Sequence, residues 1–195
     1  MIPAIPKWGI ALLMASLSVC PLPAAEMFVR APLAELLQEP SGTPVIQDSR
    51  QILQSLRKHC GRKALIELED RHYFILTEEW IEKKQAWFAW LMDHLEIHPD
   101  QLQHQDFDGD NVARIWMTIA EAKISLHLDT PAQLPIGHIR MRSDAAWGPL
   151  QGDGAIHDFI ICLTDKGFLI LDPHHGQQAY LSEHPNRSST IRILF

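Results

Sequence analysis

Apolar positions fall at helical spacing in the first two thirds of the chain and alternate with polar ones in the last third. Ile52, Leu53 and Leu56 mark one face of a helix over 49–60, with Asp48 placed to cap it and Gly61 to stop it. A second helix is predicted from Thr77, its cap, to about Glu96. Glu78 and Glu79 suit its positive end, and His98-Pro99 closes it. Trp80, Trp87, Leu91 and Leu95, helped by Phe88, form its stripe, which reads as core packing rather than a ligand platform. Val112, Ile115, Trp116 and Ile119 predict a third, central helix over 111–122. Between the first two helices, 64–68 and 72–76 are β-like runs separated by Glu69-Asp70-Arg71 and read as a hairpin. Strands are predicted at 136–141, 156–163, 168–171 and 191–194, with turns at Gly152-Asp153-Gly154 and Thr164-Asp165-Lys166-Gly167. Helices first and an antiparallel sheet after them make an α+β arrangement.

The first 48 residues differ in character. Lys7, the apolar run from Trp8 to Val19, the breaks at Pro21 and Pro23 and the small pair Ala24-Ala25 are the parts of a secretory signal over 1–25. The run is short for a bilayer span. Cys20 is the lipoprotein alternative, although bulky Val19 precedes it. Residues 26–48, with Pro32, Pro40, Gly42 and Pro44, read as an extended lead-in, which leaves 49–195 as one domain. The expected location is the periplasm or the exterior, with no stable membrane span after cleavage. A formal net charge of −7, with no basic run, excludes nucleic acid as a partner. No internal repeat or low-complexity tract is visible.

Three groups of residues carry candidate chemistry. Cys60 and Cys162 could pair in an oxidising compartment or remain lone buried thiols, and both readings stand. Asp106, Asp108 and Asp110 alternate in a glycine-containing loop. An EF-hand needs a glycine and an acid where Asn111 and Met117 stand, so a looser calcium site and helix capping by Asp108 or Asp110 are the two readings. His157, His174, His175 and His184, with Asp172 and Glu183, could suit zinc or copper, but their spacing is not that of a metal motif.

Gly109 at the start of the third helix, His157 on one strand and Asp172 at the end of the next follow the order nucleophile, base and orienting acid. A helix N-terminus lowers a thiol's pKa, and a strand-borne histidine and acid complete such a site. In this order the chain resembles the papain-like and transglutaminase-like cysteine hydrolases. The resemblance is to the subset, akin to the C-terminal domain of a fungal agglutinin, whose central helix opens Asp-Cys-Asp. The segment Phe107-Asp108-Gly109-Asp110-Asn111-Val112-Ala113-Arg114 carries it, with Gly109 at the cysteine position. So do the strand Tyr73-Phe74-Ile75-Leu76-Thr77, Trp147, His157 and Leu171-Asp172-Pro173 followed by Gly176. The resemblance spans roughly residues 64 to 180. Val112 replaces an aromatic residue and Asp158 a small one.

The resemblance implies a papain-like or transglutaminase-like α+β fold, N-terminal helices packed on an antiparallel sheet. It also implies a catalytically inactive hydrolase homologue, a pseudoenzyme with His157 and Asp172 as a remnant pair. The expected ligand is a peptide, glycan or cell-wall fragment in the former active-site cleft. The alternatives are an active cysteine hydrolase or a calcium-binding domain using Asp106, Asp108 and Asp110, for which the agglutinin relatives' calcium dependence speaks. Neither remaining cysteine is placed as a nucleophile. Cys60 ends a helix, where the dipole disfavours a thiolate, and Cys162 lies five residues beyond His157, on the opposite strand face.

Overall fold

The structure, a computed structural model, describes residues 45–96, 109–121 and 133–195. The predicted signal, most of the lead-in, and Asp106 and Asp108 lie outside the described residues. No helix among those described is long and apolar enough to cross a membrane.

The chain runs β1 (Ile46–Asp48), α1 (Ser49–His59), β2 (Leu65–Glu67), β3 (His72–Phe74), α2 (Glu78–His94), α3 (Gly109–Glu121), β4 (Ile136–Arg142), β5 (Ile156–Thr164), β6 (Gly167–Leu171), β7 (Gln178–Tyr180) and β8 (Thr190–Leu194). A 3-10 turn, Arg187–Ser189, leads into β8. Six strands form one sheet in the order β2-β8-β4-β5-β6-β7, and β1 and β3 make a separate antiparallel pair.

Both predicted caps are present. The Asp48 carboxylate accepts from Arg50 N at 2.8 Å, and the Thr77 hydroxyl accepts from Trp80 N at 3.3 Å. Each satisfies an amide that has no partner within the helix. In α1 only Ile52 and Leu56 are buried, and Leu53 turns outward. In α2 the buried stripe is Trp80, Ile81, Lys84, Phe88 and Met92. It is rotated from the predicted one, and Leu95 is exposed. Lys84 explains the rotation. Its aliphatic stem packs like an apolar residue while its ammonium stands 5.0 Å from the centre of the Trp80 ring. The Trp116 indole donates to Gln85 Oε1 at 2.9 Å and ties α3 to α2.

Strand alternation divides the core in two. Ile160 and Cys162 of β5, with Leu169 and Leu171 of β6, pack against α2 and α3. Phe159, Ile161 and Leu163, with Phe168 and Ile170, pack against Ile52 and Leu56 of α1. Glu78, at the start of α2, bonds both Tyr180 and Lys166 and fastens the helix to the β5–β6 hairpin and β7. That hairpin turns at Asp165-Lys166, with Gly167 at φ 127°, a value that side chains rarely adopt.

Two expectations about the fold are corrected. The predicted 64–76 hairpin does not form. Glu69-Asp70-Arg71 contains no residue with the positive φ that a tight hairpin turn needs, so β3 pairs with β1 while β2 lies parallel to β8. The architecture is also not N-terminal helices on an antiparallel sheet. The sheet is mixed, its parallel edge comes from the first half of the chain, and helices cover both faces.

Candidate functional site

Strand β4 carries a polar residue at every second position: His138, Arg140 and Arg142, with apolar Ile139 and Met141 between them. It pairs with β5 in unbroken antiparallel register from Ile136↔Cys162 to Arg142↔Ile156. Arg140 therefore lies opposite Asp158. Its Nε and a terminal nitrogen donate to the two carboxylate oxygens, both at 2.8 Å. His138 Nε2 stands 2.8 Å from Asp158 Oδ1 without meeting hydrogen-bond geometry, so it is a close polar contact. Burial pushes the Asp158 carboxyl up. The His138 contact and the Arg140 fork together outweigh burial and hold it below the usual carboxylate range. This carboxylate is saturated.

The same register places the family-resemblance residues. His157 shares its face with Phe159, whose ring centre is 6.2 Å away, and with Ile161, all on the α1 side of the sheet. Helix α3, which begins at Gly109, packs on the other face. Asp172 is buried, but its carboxylate closes the turn after β6. Oδ1 accepts from His174 N at 2.9 Å and His175 N at 3.3 Å, and Oδ2 pairs with His175 Nδ1 at 2.7 Å. Among the described residues no hydrogen bond joins His157 to Asp172. Asp110 lies in the first turn of α3. Among the described residues no three His, Cys, Asp or Glu side chains come together to hold a metal. Cys60 and Cys162 are both free and buried, in the two separate clusters on opposite faces of the sheet. Burial pushes both thiols up.

Beyond β4 the 143–151 loop is clamped by the segment before β8. Asn186 Oδ1 accepts from Ala145 N at 2.7 Å and its Nδ2 donates to Ala145 O at 2.9 Å, as a strand partner would. His184 is fully buried against Trp147, with ring centres 4.4 Å apart. Its Nδ1 accepts from Asn186 N at 3.2 Å, so the ring proton sits on Nε2, which has no hydrogen-bond partner. Burial, then the Arg187 charge, lowers its pKa to about 4.

The clamp holds Ala145 next to Asp144, which lines a cleft of about 260 Å³ together with Lys63, Arg142, Ser189, Thr190 and Ile191. Three separate stretches meet there. Lys63 comes from the turn after α1, Arg142 and Asp144 from the end of β4, and the others from the entry to β8. The Ser189 hydroxyl donates to Asp144 Oδ2. The Thr190 hydroxyl donates to Arg187 O at 2.7 Å and keeps lone pairs for a further donor. Gly61 permits the meeting. A Cβ there would lie 2.5 Å from Ser188 O, so only glycine lets the turn bearing Lys63 lie against the 3-10 turn. Its role is close approach rather than a left-handed helix stop, and its φ is not positive. Sequence reasoning missed every lining residue, since none of them stands in a motif. Gly61 was the single local sign.

No family model and no curated protein matches the sequence. Solved structures do match the fold. One is described as the "PSL1a-E64 complex", at a TM-score of 0.57 and 13% identity, over 77% of this chain and 50% of that one. Another is a Polyporus squamosus lectin bound to the human-type influenza-binding epitope Neu5Aca2-6Galb1-4GlcNAc, at 0.55 and 14%, over 77% and 49%. This chain shares its fold with part of each of these structures and spans about half the length of the chains it matches. The likeness, with the mixed sheet, overturns the papain-like or transglutaminase-like fold expectation and the inactive-hydrolase function drawn from it.

Proposed function

We propose that this chain is a glycan-binding domain and that the cleft between the α1 turn, the end of β4 and the entry to β8 is where the sugar sits. The observation that carries the reading is the fold shared with a lectin whose structure holds a bound trisaccharide epitope. The chain spans half of that lectin, so binding by this half is the proposal itself. The cleft chemistry supports it. A sugar offers hydroxyls that both donate and accept. The lining answers with a carboxylate acceptor in Asp144, two hydroxyls in Ser189 and Thr190, and two cationic donors in Lys63 and Arg142. At about 30 Å³ per water, the cleft volume is that of about nine waters, on the scale of one sugar ring.

The test is a glycan array probed with the full chain, followed by titration calorimetry on the best ligands. Binding at micromolar to millimolar affinity, weakened at least tenfold by Asp144→Ala, is expected. Silence across acidic, neutral and amino-sugar glycans would sink the reading.

A further inference from the structure

We infer that the cleft selects acidic sugars, seating a carboxylate between Lys63 and Arg142; this rests on the glycan reading above. Arg140 is forked onto Asp158, and Arg192, its partner across β4 and β8, donates to both Glu67 oxygens at 3.1 and 3.3 Å. Arg57 donates to Ala64 O at 2.7 Å. The side chains of Arg142 and Lys63 make no ion pair or hydrogen bond with any described residue, yet they line one cleft.

In a chain of net charge −7, acids are plentiful. Two exposed cations that line one cleft with no described acid paired to either favour an anionic visitor. The cleft's own acid does not fill that place. Asp144 lies within two residues of Arg142 in sequence, but its carboxylate accepts from Ser189 and forms no ion pair with either cation. With two cations and one acid, the lining carries one net positive charge.

The arrangement discriminates by position. An arginine fork matches the two oxygens of a carboxylate, and a lysine adds a point charge. Asp144 and Thr190, in the same lining, are left to take hydroxyls of the same ring. A neutral sugar would satisfy only the second half and leave both cations unpaired. The recognised chemistry is therefore a pyranose bearing a carboxylate, as in a uronic or a sialic acid.

The experiment uses the full chain at low salt, titrated separately with D-glucuronate, D-glucose and sodium acetate and read by calorimetry and by chemical-shift changes. Glucose has the same ring with a hydroxymethyl in place of the carboxylate, and acetate has the carboxylate without the ring. Glucuronate should bind at least tenfold more tightly than glucose or acetate. Its affinity should fall at least tenfold in Arg142→Gln and in Lys63→Gln, both surface changes whose folding is checked by an unchanged Tm. Raising salt from 50 to 300 mM should weaken it several-fold. If glucose binds as tightly as glucuronate, or both variants bind normally, the acidic-sugar inference is overturned while the glycan reading stands. If acetate alone binds, both fail together.

Discussion

Arg140 and Arg142 stand two residues apart on the same strand and live in opposite circumstances. Arg140 shares the part-buried Asp158 with His138, and its charge is answered within the fold. Arg142 opens on a cleft with Lys63 and has no carboxylate partner among the described residues. The first region is closed. Its partners come from adjacent paired strands and are held by register alone. The second is open and assembled from stretches up to 128 residues apart, Lys63 to Ile191. Paired charges hold a sheet in register, and unpaired charges at its margin give it something to recognise.

That contrast predicts unequal responses to substitution. Asp158→Ala leaves His138 and Arg140 without their shared acceptor. Breaking a buried pair on one side costs several kcal/mol, and part-exposed Arg140 moderates it, so a loss of about 3 kcal/mol is expected in urea unfolding. A loss under about 1 kcal/mol would show that the closed region is not a stability element.

Acid should separate the two regions next. His184 is held neutral, with its folded pKa of about 4 below the ordinary 6.5, so between those values the unfolded chain binds the extra proton. Stability is therefore full above about pH 6.5 and falls as pH drops toward 4, by up to roughly 3 kcal/mol. The Asp158 carboxyl, held low, gives up its contribution only as pH falls through its depressed pKa. The cleft wall should loosen first. His184→Phe should erase the upper part of the acid slope in a pH series of thermal melts, and an unchanged slope would place its cause elsewhere.

Gly61→Ala should cost about 1–3 kcal/mol by driving a Cβ into Ser188 O, and it should weaken cleft ligands by moving Lys63. Arg142→Gln should have the smallest effect on stability, within about 0.5 kcal/mol, together with the largest effect on binding. A large fall in Tm for that variant would make the open region structural.

The sequence made legible what depends on neighbours along the chain. The Asp48 and Thr77 caps, the four long C-terminal strands and the opposite facing of Cys162 and His157 are local matters of hydrogen bonding and alternation. The α2 stripe was read one face off, because Lys84 is polar in name and apolar along its stem. Short β2 and β3 could be paired only by guessing a turn, and their true partners lie far away in sequence. The candidate site was the least legible part. His157 and Asp172 were read as neighbours from their order, yet the alternation that turns Cys162 away from His157 also sets that histidine on the face opposite α3. The cleft residues are ordinary surface types, and only the folded sheet puts Lys63 beside Arg142.

The placement of β8 has a consequence for how the molecule is made. Among the described strands it is the last to leave the ribosome, yet it sits inside the sheet between β2 and β4. Until it emerges, β2 has no partner, β4 presents a bare edge, and the Ser189–Ile191 floor of the cleft does not exist. The nascent chain can form α1, α2 and the β4–β5–β6 meander while still tethered, but the sheet must wait for β8 to close. During that interval an unpaired hydrophobic edge is on offer to other chains. Synthesis rate and chaperone capture, as much as final stability, then set how much of this protein reaches its folded form.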